Sequence, residues 1–275
     1  YIYLMSGLAE GATDLKVTRY ARIDDSNNIV NISSGTTSGG WTESSSLTYY
    51  GRRRGSGFGY NGYLYVVGGY DASAGGGGVL ADIEYAKINV SDGSIGSWAV
   101  SSVSIDQRWG LTLAVSNSYV YVIGGCISGS APTCDSAGWT NSVQEFQIYN
   151  NDSGSPVQYA ASANQFGTDR FGASSTILNG YLYVAGGCTS TTDCTTATDS
   201  VQYASIDVYG NLSSWSTGGN LPSARAWGQL EAAGGTLYYV GGQTNTSTDE
   251  RPEVYYATPS GGAVTWSTVS SSYDL

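Results

Sequence analysis

The chain contains no histidine, only two lysines (Lys16 and Lys87), one methionine, five prolines and four cysteines in 275 residues. The lack of histidine removes the commonest general base at neutral pH, and with it Ser-His-Asp and Cys-His catalysis and every histidine-ligated zinc or copper site. Any chemistry would rest on carboxylates, tyrosine, arginine or thiolates. The shortage of lysine leaves nine arginines, which are fixed planar donors, as nearly all the positive charge. With 11 basic against 22 acidic residues the formal net charge is −11. Such a surface repels phosphate backbones and anionic lipid, which argues against a nucleic-acid partner. No run approaches the 18 or so apolar residues that a membrane helix requires, so no membrane insertion is expected. The opening Tyr1-Ile-Tyr-Leu-Met5 carries no signal-peptide pattern, and localisation has to be read from other signs.

What the chain has in abundance is glycine (39), tyrosine (23) and tryptophan (seven), and these recur in a pattern. Asn61-Gly-Tyr-Leu-Tyr-Val-Val-Gly-Gly69, Asn117-Ser-Tyr-Val-Tyr-Val-Ile-Gly-Gly125, Asn179-Gly-Tyr-Leu-Tyr-Val-Ala-Gly-Gly187 and Gly234-Gly-Thr-Leu-Tyr-Tyr-Val-Gly-Gly242 are near-copies, and Tyr1-Ile-Tyr-Leu-Met-Ser-Gly7 is a fifth that begins partway through. Taken from Ser6, Gly68, Gly124, Gly186 and Gly241, the spacings are 62, 56, 62 and 55 residues. A period of this length marks one supersecondary unit repeated.

A turn dipeptide followed by five β-branched and aromatic residues reads as the second strand of a hairpin. Segments such as Arg108-Trp-Gly-Leu-Thr-Leu-Ala-Val115 and Arg170-Phe-Gly-Ala-Ser-Ser-Thr-Ile-Leu178 supply the first strand, their small residues suiting a crowded place where strands converge. A third strand is expected at 82–89, 141–148, 199–206 and 252–258, and a fourth is marked by Trp41, Trp98, Tyr159, Trp215 and Trp266. No segment shows a sustained 3.6-residue period, so helices should be negligible. Four-stranded sheets cannot cover both faces alone, and radial stacking covers them while leaving short edges. The expectation is an all-β propeller of five four-stranded repeats, the first lacking its first strand, in a single domain with units near 1–51, 52–107, 108–169, 170–224 and 225–275.

These residues resemble the kelch repeat: a hydrophobic strand ending in Gly-Gly, a later Tyr, a still later Trp, and the lead-in Leu221-Pro-Ser-Ala-Arg225. The chain departs from that pattern in its longer Tyr-to-Trp spacing, in Ser6, and in Glu145 and Tyr159 of the third unit. Kelch propellers usually have six or seven blades closed by strands from both chain ends, which implies a fragment of a longer, exported bacterial protein. A five-bladed ring short of one strand is the alternative. On the fragment reading, the polar segment 268–275 fills the missing strand poorly.

The start of strand one, the end of strand two and the following loop share one face of such a meander. Arg52, Arg108, Arg170 and Arg225, each sixteen residues before the first glycine of its pair, are expected there with Trp109, Phe171 and Trp227. Four guanidinium groups beside aromatics suit a carboxylate or sugar acid, and tying a loop to a neighbouring blade is the competing role. The resemblance points to the same face. The loops after Gly-Gly vary and hold Tyr70, Asp71 and Trp139, which makes them candidates for mounting specificity.

All four cysteines lie in two of these loops, and the most economical pairing is Cys126 with Cys134 and Cys188 with Cys194; a four-thiolate zinc site is the rival. Disulfides would place the chain in an oxidising compartment, at the cell surface or outside the cell. Asn-x-Ser/Thr at Asn31, Asn89, Asn151, Asn211 and Asn245 adds weak support. No catalytic residue, metal ligand or cofactor motif stands out. Galactose oxidase, whose propeller is similar, needs copper-binding histidines that are absent here. Ser91-Asp-Gly-Ser-Ile-Gly-Ser-Trp98 is similar to a sialidase Asp box but wrong in order and spacing. The expectation is a non-catalytic module that recognises a protein or glycan through its loop face. A structural spacer and a sialidase-like, glycan-active enzyme are the alternatives.

Overall fold

The computed structural model describes residues 1–8, 13–30, 40–75, 77–136, 138–149, 153–162, 164–190, 194–245 and 249–269. They form five four-stranded antiparallel sheets arranged as a five-bladed β-propeller, with a two-stranded ribbon of Gly129–Ser130 and Thr133–Cys134 in a blade-three loop, and the described residues contain no helix. In blades two to five, four strands follow one another in chain order from the axis outward. The strands of blade three, for example, are Thr112–Ser116, Tyr119–Ile123, Val143–Ile148 and Pro156–Ala161. Blade one starts with Ile2–Leu8, equivalent to the second strand elsewhere, paired with Asp14–Ile23; Ile29–Val30 and Thr42–Glu43 both lie against the far side of Asp14–Ile23. Residues 270–275, which the sequence reading set against Tyr1 to Met5, lie outside the described residues; the last described strand, Ser267–Thr268, pairs with Tyr255 and Tyr256.

The second strands of blades two to four are the core of the molecule because both their faces are covered. In Tyr119–Ile123 alternate side chains point to opposite neighbours. Val120 and Val122 join Tyr65, Val67 and Ile83 of blade two, while Tyr121 and Ile123 join Leu182 and Val184 of blade four. That two-sided burial explains why the strand is apolar at successive positions instead of alternating. Each fully buried Val, Leu or Phe contributes about 1.5–3 kcal/mol.

Two recurrent hydrogen bonds join neighbouring blades. The second glycine of each pair donates its N–H to the carbonyl of the next blade's lead-in arginine: Gly7 to Arg52 (2.8 Å), Gly69 to Arg108 (2.8 Å), Gly125 to Arg170 (2.9 Å) and Gly187 to Arg225 (2.8 Å). Near the opposite face, a tyrosine hydroxyl of the second strand donates to a glycine carbonyl in the next blade's strand three to strand four turn: Tyr3 to Gly93 (2.9 Å), Tyr65 to Gly154 (2.7 Å) and Tyr121 to Gly210 (2.7 Å). The near-identical repeats therefore encode near-identical joints.

Candidate functional site: the loop face and the channel mouth

The lead-in arginines do not line the loop surface. Arg52, Arg108, Arg170 and Arg225 are each only 1% exposed. The constant offset of sixteen residues is itself a bond in three blades, where a guanidinium Nη1 donates to the first-glycine carbonyl: Arg52 to Gly68 (3.0 Å), Arg108 to Gly124 (3.0 Å) and Arg170 to Gly186 (2.9 Å). Arg225 instead bonds Ala224 O, Ser223, Glu253 and the Tyr255 hydroxyl. Arg52 also meets Asp82 (2.6 Å) and the fully buried Glu84 (2.5 Å). Burial drives the Glu84 carboxyl above the usual range, opposed by the Arg52 charge and the Thr48 and Tyr49 N–H groups. Burial alone pulls the Arg170 guanidinium down to about 10. The four-arginine anion site expected at the loop face is corrected accordingly: these cations sit inside the blades, bonded to carbonyls and, at Arg52 and Arg225, to carboxylates, with Nε of those two left without a partner among the described residues.

The residue after each lead-in arginine forms the floor of the loop face. Arg53, Trp109, Phe171 and Ala226 make backbone bridges to the residue that follows Gly-Gly, namely Tyr70, Cys126, Cys188 and Gln243. These in turn bridge Val79, Trp139, Ala197 and Glu250 at the far ends of the loops. The second member of each chain therefore lies beneath its loop. Cysteine at that place pairs within the loop, Cys126 with Cys134 (Cα separation 5.9 Å) and Cys188 with Cys194 (5.3 Å). All four cysteines are buried, in one apolar layer with Tyr70, Trp109 and Phe171. The disulfides expected from the spacing are present, and they point to an oxidising, non-cytoplasmic compartment. Among the described residues no group of His, Cys, Asp or Glu is arranged to hold a metal ion.

Several sequence candidates are thereby removed from the surface. Trp109 and Phe171 are fully buried, meeting edge to face at 5.2 Å. Tyr70 lies under the Arg53 guanidinium (4.9 Å), and Asp71 is buried, accepting from the N–H and hydroxyl of Ser73. Trp139 and Trp227 are half-buried and keep a solvent-facing part.

The next position inward borders the channel mouth. Arg54, Gly110, Gly172 and Trp227 lie two residues after the four lead-in arginines and share a left-handed backbone, with φ of 55°, 63°, 62° and 60°. Their backbones are linked head to tail around the channel mouth. Gly110 N–H donates to Arg54 O (2.7 Å), Gly172 N–H to Gly110 O (2.7 Å) and Trp227 N–H to Gly172 O (2.8 Å). The indole of Trp227 lies against Gly110 and Gly172, where a Cβ would approach it to 3.1 and 2.8 Å. The Arg54 guanidinium stacks over the same indole at 4.2 Å. Aligning the four lead-ins Arg-Arg-Arg54, Arg-Trp-Gly110, Arg-Phe-Gly172 and Arg-Ala-Trp227 would have shown both side chains standing where two blades have glycine.

Several cavities adjoin this mouth. One of about 260 Å³ is lined by Arg54, Gly110, Gly172 and Trp227 themselves. Along the axis, one of about 350 Å³ is bordered by Thr112, Ser175, Gln229 and Glu231. The third, about 560 Å³, opens beside blade five between Trp227, Gly241, Gly242, Gln243, Glu250, Arg251 and Pro252.

No family model matches the chain and no curated protein matches it. Among solved structures, one titled "Structure of YjhT" superposes with a TM-score of 0.65 at 14% identity, over 95% of this chain and 82% of that one. At that identity the likeness establishes the propeller fold.

Proposed function

We propose that this protein is a non-catalytic recognition module of an exported or cell-surface protein, which binds a protein or glycan through its loop face. The observation that carries the reading is the Arg54–Trp227 pair. Bulky residues with positive φ cost on the order of 1–3 kcal/mol, and such strain persists where the surroundings enforce it and commonly marks binding sites. Here two residues bear that cost at positions where glycine serves elsewhere in the ring, and both place a cationic or aromatic group at the channel mouth. Loops held from beneath by disulfides give the face a rigid support. The resemblance of the repeats to kelch repeats is in keeping with a loop-face binder.

The test is a binding screen of the disulfide-intact protein against a glycan panel and candidate surface proteins, repeated with Arg54→Gly and Trp227→Ala. Each variant should bind at least tenfold more weakly. Arg54→Gly should keep or slightly raise the melting temperature, because it relieves a strained backbone. Ligands that bind both variants as well as the parent would remove the mouth from the recognition surface.

A further inference from the structure

Three Asn-x-Ser triplets fall in the connection between the third and fourth strands of successive blades: Asn89-Val-Ser91 in blade two, Asn151-Asp-Ser153 in blade three and Asn211-Leu-Ser213 in blade four. The connections start from equivalent isoleucines, each donating its N–H to the hairpin turn before the second strand: Ile88 to Gly62 O (2.8 Å), Ile148 to Ser118 O (2.9 Å) and Ile206 to Gly180 O (2.9 Å). Counted from these, the asparagine stands one, three and five residues on. The triplet is therefore not carried along with the repeat, since it occupies a different place in each connection. Asn151 lies outside the described residues, so blades two and four carry the comparison.

Asn89, Val90 and Ser91 are all exposed, Val90 at 88%. Asn89 Oδ1 accepts from the N–H (3.2 Å) and the hydroxyl (2.9 Å) of Ser91, which fixes the carboxamide against the third residue of its own triplet. Among the described residues its Nδ2 donates to Ser94 Oγ at 3.4 Å, the long end of the hydrogen-bond range. Asn211 is exposed too, but its Nδ2 donates to Asp207 Oδ2 at 2.9 Å and its N–H to Asp207 Oδ1 at 2.8 Å. The middle residue of that triplet, Leu212, is 5% exposed and packs in the layer of Phe166 and Leu182. Ser213 Oγ accepts from the Ser205 N–H (2.9 Å). An enzyme that reads all three residues must draw them into its own groove. At Asn89 this disturbs bonds within an exposed turn; at Asn211 it pulls a leucine out of the core.

We infer that Asn89 is a site of N-glycosylation, carrying its glycan on the face opposite the recognition loops. The Asn89 Nδ2 lone pair attacks C1 of the first sugar of a polyprenyl-diphosphate-linked oligosaccharide. The C1–O bond to the diphosphate breaks, the lipid diphosphate leaves with that electron pair, and Nδ2 gives one proton to a base of the transferase. Ser91 supplies the third-position hydroxyl of the acceptor triplet. The disulfides place the chain in the kind of compartment where such acceptors are modified. The same turn contains Gly93, whose carbonyl accepts the Tyr3 hydroxyl near the face opposite the loops, so the site lies away from Arg54 and Trp227.

The test incubates the folded, disulfide-intact chain, and separately the reduced and alkylated chain, with a single-subunit oligosaccharyltransferase and its lipid-linked oligosaccharide. A short acceptor peptide in each mixture confirms that the enzyme is active. Tryptic peptides 88–108 and 171–225 each contain one of the two triplets, and mass spectrometry reads their occupancy separately. In the folded chain Asn89 should be modified at least tenfold faster than Asn211, and in the alkylated chain the two rates should converge. Ser91→Ala should slow modification of Asn89 at least tenfold in both forms while leaving Asn211 unchanged. Equal rates at the two sites of the folded chain would overturn the inference, as would an Asn89 left unmodified in the folded chain while the acceptor peptide is consumed. Loop-face binding by the glycosylated chain should match that of the unmodified chain, so either proposal can fail alone.

Discussion

Gly124→Ala and Gly180→Ala separate the cost of a left-handed backbone from the cost of pushing two blades apart. Both glycines have positive φ, 59° and 77°. Gly180 sits in the turn before Tyr181, and a Cβ added there would meet nothing within 4 Å, so its substitution should cost about 1 kcal/mol for the backbone alone. A Cβ at Gly124 would stand 2.7 Å from the carbonyl of Arg170 and 3.3 Å from the ring of Phe166. That carbonyl accepts the Gly125 N–H at 2.9 Å, the bond joining blades three and four. Relieving the clash means lengthening or losing this buried bond, about 1 kcal/mol more, together with loosened packing of the layer around Phe166 and Leu182. Gly124→Ala should therefore lose roughly 2–4 kcal/mol.

Urea unfolding of the two variants and the parent, followed by tryptophan fluorescence and far-UV circular dichroism together, measures the difference. An unchanged slope with a lower midpoint reports on the folded state. If the two alanine variants fall within about 0.5 kcal/mol of each other, the glycine-to-arginine carbonyl bond is not a structural joint.

Tyr121→Phe removes the hydroxyl that donates to Gly210 O and should cost about 1–2 kcal/mol by chemical denaturation, against less than about 0.5 kcal/mol for the exposed Tyr149→Phe. Replacing Cys126 and Cys134 by serine opens a loop with eight residues of sequence separation and should lower stability by about 2–3 kcal/mol. Glu145, between blades three and four, has its carboxyl raised above the usual range by burial, with the Ser162 hydrogen bond opposing and Asp207 reinforcing. A carboxyl raised on folding stabilises the fold below its unfolded pKa, and that contribution is lost as pH rises through the folded value. Glu145→Gln should thus raise the melting temperature at pH 7 and have no such effect near pH 4; an equal gain at both pH values would refute the assignment.

The strands, their order and the blade count were legible because the same apolar run ends in the same turn residues in every unit. Trp98, Trp215 and Trp266 each stand just before the outer strand of their blade. The disulfides were legible because both cysteines of each pair fall inside one short loop. The arginines misled because repetition at a fixed spacing indicates a shared role but not its direction. Whether a guanidinium faces solvent or folds back sixteen residues onto a glycine carbonyl depends on backbone geometry that the spacing does not carry. Arg54 was hidden by the opposite circumstance: it follows two other arginines, and its significance lies in a φ of 55° and in the glycines that take its place in blades three and four.

The two layers of the mouth divide structure from specificity. The lead-in arginines act through their side chains and are buried, so changing one leaves carbonyls and, at Arg52, two carboxylates without their cation. The ring two residues on is linked head to tail by N–H and C=O groups, which any residue supplies provided the backbone stays left-handed. That freedom has one restriction. Because the indole of Trp227 lies on Gly110 and Gly172, a side chain at Gly172 would collide with it and one at Gly110 would crowd it. One large aromatic in the ring therefore requires glycine at 172 and favours it at 110. Arg54, whose guanidinium approaches the indole without occupying either glycine's place, adds charge to the mouth while leaving the Trp227 seat intact.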